Sequence, residues 1–180
     1  VGMGSGSLIS IYRGEGATDK ARRTLTTGLG LILIAGVLMM ALVSAFGPAM
    51  LIAQGAVGET LELGIEYIDI FSWGAIFTIA AGAMPMLIRN DDSPNFSTIL
   101  MVIGALINIA LDYLFIGQFA WGLEGAAIAT IFSQVTVFVV AIGYYFSPFS
   151  QLRLSLGKLR FSPRLAAKSI GLGTSSLFMY

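Results

Sequence analysis

The 180-residue chain has no cysteine and no histidine. Those two absences remove disulfide frameworks, thiol nucleophiles, Ser-His and Cys-His triads, haem ligation by His or Cys and most zinc sites. Charge is almost as scarce. Lys and Arg number 10 and Asp and Glu 10, together 11% of the chain, under half the ~25% usual in a soluble domain. Net charge is zero and no basic stripe alternates with exposed aromatics, so nucleic acid is excluded as a partner. Phosphate-loop and nucleophile motifs are missing too. GMGSGS at 2–7 lacks the last glycine of GxGxxG and does not fit GxSxG, GLGTSS at 171–176 fails likewise, and no Gly-Lys-Ser/Thr occurs. An enzyme is not expected, and no cofactor is implied.

What remains is apolar. Hydrophobic residues make up 56% of the chain and the mean hydropathy is +0.85. A soluble core of this size could not bury so much apolar surface, so the lipid bilayer is the expected solvent. A spanning helix needs about 20 mostly apolar residues. Four stretches qualify: Thr24 to Phe46, Ile65 to Ile88, Phe96 to Gly117 and Gly122 to Phe146. Residues 1–12 read as the tail of an earlier span and 165–180 as the start of a later one, which predicts an all-α polytopic membrane protein with four complete and two partial transmembrane helices. With both ends inside apolar, Gly-rich runs and no signal peptide, the chain reads as an internal piece of a longer one, not expected to fold alone.

The polar residues collect in five linkers: 13–23 (RGEGATDKARR), 47–64 (opening on Gly47-Pro48 and holding Glu59 and Glu62), 89–95 (RNDDSPN), 118–121 and 147–164. Arg13, Lys20, Arg22, Arg23, Arg89, Arg153, Lys158, Arg160, Arg164 and Lys168 all lie in or beside the first, third and fifth. Alternate linkers share a membrane face, so the positive-inside rule makes 13–23, 89–95 and 147–164 cytoplasmic. Small residues four apart (Gly2 and Gly6, Gly122 and Ala126, Gly125 and Ala129) let helix backbones approach closely in lipid, and Pro85 is placed to bend its span.

One residue is out of place. Asp112 lies two-thirds of the way along its span, where a carboxylate in hydrocarbon costs ~2.5–3.5 kcal/mol on insertion scales. Asn108 is one turn earlier on the same face, and Gly104 continues the stripe beneath a gap where another helix or an ion could approach. A carboxylate and an amide carbonyl suit Na⁺, or a desolvated carboxyl that carries a proton. The competing reading is an aspartate near the outer interface that snorkels to water or caps a neighbour. In the next span Thr130 and Gln134 share a face; taken alone, Thr130 bonding back to its own helix is the plainer reading. Tyr67, beside Glu66 and Asp69, stands at the outer end of its span, where tyrosine belongs to the interfacial belt. The eight Met and twelve Phe suit promiscuous apolar ligands and lipid-facing walls equally.

With these residues in view, the chain resembles the multidrug and toxic compound extrusion (MATE) family. IRNDDSPNFSTILMVIGALINIALDYLFI followed by GLEGAAIATIFSQ resembles its fifth and sixth spans; GSGSLISIYRGEGATDKARR resembles the end of the second and the loop after it; the basic linker before IGLGTSS resembles the approach to the seventh. Gly173 departs from the family, which commonly has proline there. The resemblance implies a twelve-helix, two-lobe antiporter of the plasma (inner) membrane. Residues 1–164 would belong to the amino-terminal lobe and 165–180 would start the seventh span. Amphipathic, often cationic organic substrates would leave as Na⁺ or H⁺ enters, and a monomeric parent is expected. The family's cation site in this lobe implies roles for Asp112 and Asn108 on the fifth span, Thr130 on the sixth and Tyr67 on the fourth, with possible Na⁺ at the first three; a further aspartate on the first span lies outside this sequence. A lipid-linked saccharide flippase of related fold is the alternative, although no Lys or Arg sits mid-span to make its cationic cavity. An intramembrane enzyme has neither histidine nor a nucleophile motif to work with.

Overall fold

In the computed structural model, which describes residues 1–154 and 161–177, the chain forms six α-helices. They are α1 (Gly2–Gly14), α2 (Thr18–Ala53), α3 (Glu59–Arg89), α4 (Pro94–Asp112), α5 (Gly122–Phe146) and α6 (Pro163–Leu177). A π-helical turn, Tyr113–Gln118, extends α4 without a break. Four helices, α2, α3, α4 with its π turn, and α5, are long and apolar enough to cross a membrane. With 13 and 15 residues, α1 and α6 are shorter than a span requires. The chain is therefore an all-helical, multi-pass membrane protein.

The helix ends follow from local chemistry. Gly16 (φ +70°) turns the chain from α1 into α2. Arg13 lies in the last turn of α1 and Asp19 in the first of α2, each on the side its helix dipole favours. Glu59 and Glu62 occupy the first turn of α3 and Arg89 the last. Asp92 turns left-handed at φ +60° and Pro94 follows at the start of α4, where its missing N–H costs nothing.

One linker is much shorter than expected. The segment 47–64 shrinks to 54–58, because α2 continues through Gly47 and Pro48 to Ala53 and Glu59 already opens α3. Proline is tolerated within a membrane helix, and Gly47 serves close packing rather than a turn: a Cβ there would lie 2.7 Å from Ile68 Cγ2 on α3. The first linker contracts similarly, with α2 starting at Thr18. Of the fifth linker, Lys158 and Arg160 lie outside the described residues.

Packing sorts the helices into inner and outer. Within their most apolar windows, 39% of α3 and 33% of α5 is buried, against 17% of α2 and 11% of α4. Thus α3 and α5 form the centre and α2 and α4 turn broad apolar faces outward, as helices solvated by lipid do. Burial is also uneven along the helices. The core joins Ile9, Leu25 and Ile32 to Met84, Leu87, Ile88, Leu100, Val137, Ala141 and Tyr145. These come from the end of α1, the first half of α2, the second halves of α3 and α5 and the first half of α4. All belong to the end of the bundle that carries the cations. The bundle is tight there and looser toward the acidic end, where Asp112 and Thr130 lie.

Candidate functional site

Midway along the bundle, where the tight end gives way to the looser one, a cleft of about 280 Å³ lies between α3, α4 and α5. Ala81, Met101, Gly104, Ala105 and Val137 supply apolar wall, and Asn108, Thr130, Ser133 and Gln134 supply polar groups. Each polar residue owes its place to helical spacing. Gly104 and Asn108 are one turn apart on α4, and Thr130, Ser133 and Gln134 lie three and four apart on α5. The gap expected beside Gly104 is filled: Val137 approaches so closely that a Cβ on residue 104 would lie 2.5 Å from its Cγ2. Helix α5 therefore uses the glycine for close approach, and the cleft runs past it from Met101 to Asn108.

Within the cleft Asn108 Nδ2 lies 3.5 Å from Thr130 Oγ1, at the outer limit of a hydrogen bond. The Thr130 hydroxyl itself donates to Ala126 O at 2.9 Å. Asn108 and Thr130 thus stand side by side, with the Thr130 hydroxyl turned back on its own helix. Gln134 is fixed from the other side, because Thr78 on α3 donates to its Oε1 at 2.6 Å. Thr78 had no distinguishing sequence context; only the packing of α3 on α5 reveals it.

Asp112 follows Asn108 by one turn, at the junction where α4 becomes π-helical. Its Oδ1 is buried and has no hydrogen-bond partner among the described residues. Buried polar atoms are nearly always paired, and in lipid an orphaned carboxylate oxygen is especially costly. Among the described residues there is no cluster of three or more His, Cys, Asp or Glu side chains, so a cation held here would draw on hydroxyl, amide and carbonyl oxygens beside the single carboxylate. π-turns within helices recur at functional positions. This one is braced by Phe115, Phe119 and Trp121, whose ring centroids lie 5.1 to 6.2 Å apart. Tyr67 is half-buried on α3 and stacks on Phe71 at 5.9 Å; neither it nor Asp112 is among the residues lining the cleft.

The family profile described as MatE matches residues 1–114. The multidrug export protein MepA of Staphylococcus saprophyticus is 28% identical over 182 residues, covering 99% of this chain and 40% of that protein. The probable multidrug resistance protein NorM of Bradyrhizobium diazoefficiens is 31% identical, covering 96% and 39%. A multidrug resistance MATE family transporter of the MOP superfamily superposes with a TM-score of 0.88 in its inward-facing conformation, at 27% identity, covering 96% of this chain and 40% of that one. Its outward-facing conformation gives 0.89, at 27% identity, covering 97% and 39%. The chain thus spans about 40% of the length of these relatives. A helical membrane bundle with this profile match, and with the fold of solved members over nearly its whole length, belongs to the MatE family of membrane transporters.

Proposed function

We propose that this chain forms most of the amino-terminal lobe of a two-lobe antiporter, which exports drugs or other amphipathic organic compounds across the plasma membrane in exchange for Na⁺ or H⁺. Residues 1–164 belong to the lobe and 165–180 begin the seventh span, with linkers 13–23, 89–95 and 147–164 on the cytoplasmic side. The observation that carries this reading is the buried, unpartnered Oδ1 of Asp112, one turn from the Asn108–Thr130 pair and the cleft they line.

Asp112, Asn108 and Thr130 receive the coupling cation, Asn108 and Thr130 from the cleft and Asp112 from one turn beyond it, with Tyr67 on α3 the fourth member of the set. Proton or Na⁺ at Asp112 removes the unpaired charge and favours closer packing around it. The cleft joins neutral polar groups to Met101 and Val137, a lining suited to a molecule with an apolar body and a few hydrogen-bonding atoms. Exchange then requires only that cation and organic substrate prefer different states of the lobe. The absence of Lys and Arg from the cleft lining speaks against a pyrophosphate-bearing lipid as the cargo.

Membranes containing the full-length transporter should move a fluorescent organic cation when a Na⁺ gradient or a pH gradient is imposed, and the effective gradient identifies the ion. No dye movement under either gradient would reject export of this substrate class and redirect attention to lipid-linked saccharides.

A further inference from the structure

The tight end of the bundle holds a second carboxylate, which the cation site does not use. Asp91, in the turn between α3 and α4, is wholly buried. Among the described residues no Lys or Arg pairs with it, since the ion pair in this turn joins Arg13 to Asp92. Four neutral donors converge on it instead. Tyr144 OH at 3.0 Å, Ser150 Oγ at 2.7 Å and Gln151 N at 3.1 Å reach Oδ2, and Leu152 N reaches Oδ1 at 3.1 Å. Three of the four come from the segment that follows α5. A buried charge is tolerated only when its hydrogen bonds are made. Asp91 is therefore satisfied only while that segment lies across the end of the bundle.

Further anchors continue the line. Leu152 and Leu154 are buried in the core, and Leu154 N donates to Tyr145 O at 2.9 Å. Beyond, Ser162 N donates to Thr27 Oγ1 on α2 at 3.2 Å. Helix α6 then lies against α1 with its backbone so close that a Cβ on Gly4 would be 1.8 Å from Ser169 O.

We infer that Asp91 is a positioning residue: it clasps the strap 147–154 to the cytoplasmic end of the lobe, so that the start of α6 is carried with the lobe as a rigid part of it during transport. The consequence for transport rests on the export reading above; the clasp itself does not. A lobe that drags α6 with it passes its motion to whatever follows, and a lobe with a loose strap does not. Removal of Asp91 should therefore slow turnover without changing how tightly the cleft holds its substrate.

The test is hydrogen exchange on the full-length transporter, read at the amides of Gln151, Leu152 and Ser162, together with dye efflux. Asp91→Ala should raise exchange at Gln151 and Leu152 by at least about 10-fold, as for local opening of a fastened segment, and also speed exchange at Ser162. It should lower maximal efflux while leaving the half-saturating dye concentration unchanged. Ser150→Ala removes one donor, should shift the same readouts less, and serves should Asp91→Ala not fold. Unchanged exchange in both variants, or a freed strap with full efflux, would overturn the inference. If the unaltered protein moves no dye, the export reading falls, and exchange alone still decides whether Asp91 holds the strap.

Discussion

Replacing Asp112 with asparagine should reduce drug efflux to background while leaving the protein folded and at least as stable as before. The substitution keeps the shape of the side chain and removes its charge. Placing that charge in the apolar part of a span costs ~2.5–3.5 kcal/mol on insertion scales, and nothing among the described residues pairs with the buried Oδ1. A neutral amide avoids part of that cost. The variant should therefore unfold in detergent at the same temperature as the parent or higher. This is the signature of a group kept for function at the expense of stability. Transport is lost because the asparagine cannot change its charge state and so cannot alternate between cation-bound and cation-free forms. An aspartate that merely snorkels or caps a neighbour would give the reverse, with little loss of efflux. Normal efflux by Asp112→Asn would remove this residue from the mechanism.

The second large effect is on packing. Gly4→Val should destabilise the protein by ~1–3 kcal/mol, the usual penalty for forcing extra carbons into a packed site. Even a Cβ at residue 4 would fall 1.8 Å from Ser169 O and 2.7 Å from Gly173 N, both backbone atoms. No side chain can swing away to make room, so α1 and α6 must separate. Gly143→Ala provides the contrast. It lies inside α5 with nothing within 4 Å of the added carbon, so the gain in helix propensity should stabilise by ~0.5–1 kcal/mol. Thermal unfolding followed by the fraction remaining monodisperse in detergent separates the two. Equal midpoints for Gly4→Val and the parent would mean that α6 does not rest on α1 this closely.

The architecture was readable in the sequence because lipid imposes a strong pattern: an apolar stretch long enough to span, ended by charge. The span from Gly122 to Phe146 matches α5 to the residue. That rule misleads where turn-forming residues serve packing, as at Gly47-Pro48, since within lipid a helix absorbs a proline that would end it in water. The candidate site was readable in part. Asp112 and Asn108 announce themselves as polar residues one turn apart in an apolar helix, whereas Thr78 becomes visible only when α3 and α5 are packed together. The π turn after Asp112 has no periodic signature, because a single widened turn shifts the helical phase too briefly to register. Asp91 is the clearest omission. Within Arg-Asn-Asp-Asp-Ser-Pro it reads as turn chemistry, and its burial depends on residues 144–152, more than fifty positions away.

The most direct test of cation coupling in this lobe is equilibrium binding of a fluorescent organic cation to the purified full-length transporter. The dye is titrated at several Na⁺ concentrations at fixed pH, and again across pH without Na⁺, for the parent and for Asp112→Asn. In the parent, either added Na⁺ or falling pH should raise the dye Kd by at least ~5-fold, the lower end of ordinary coupling between linked sites, and the variant should show no such dependence. A variant that keeps the parent's ion dependence, or a parent with none, would contradict the account.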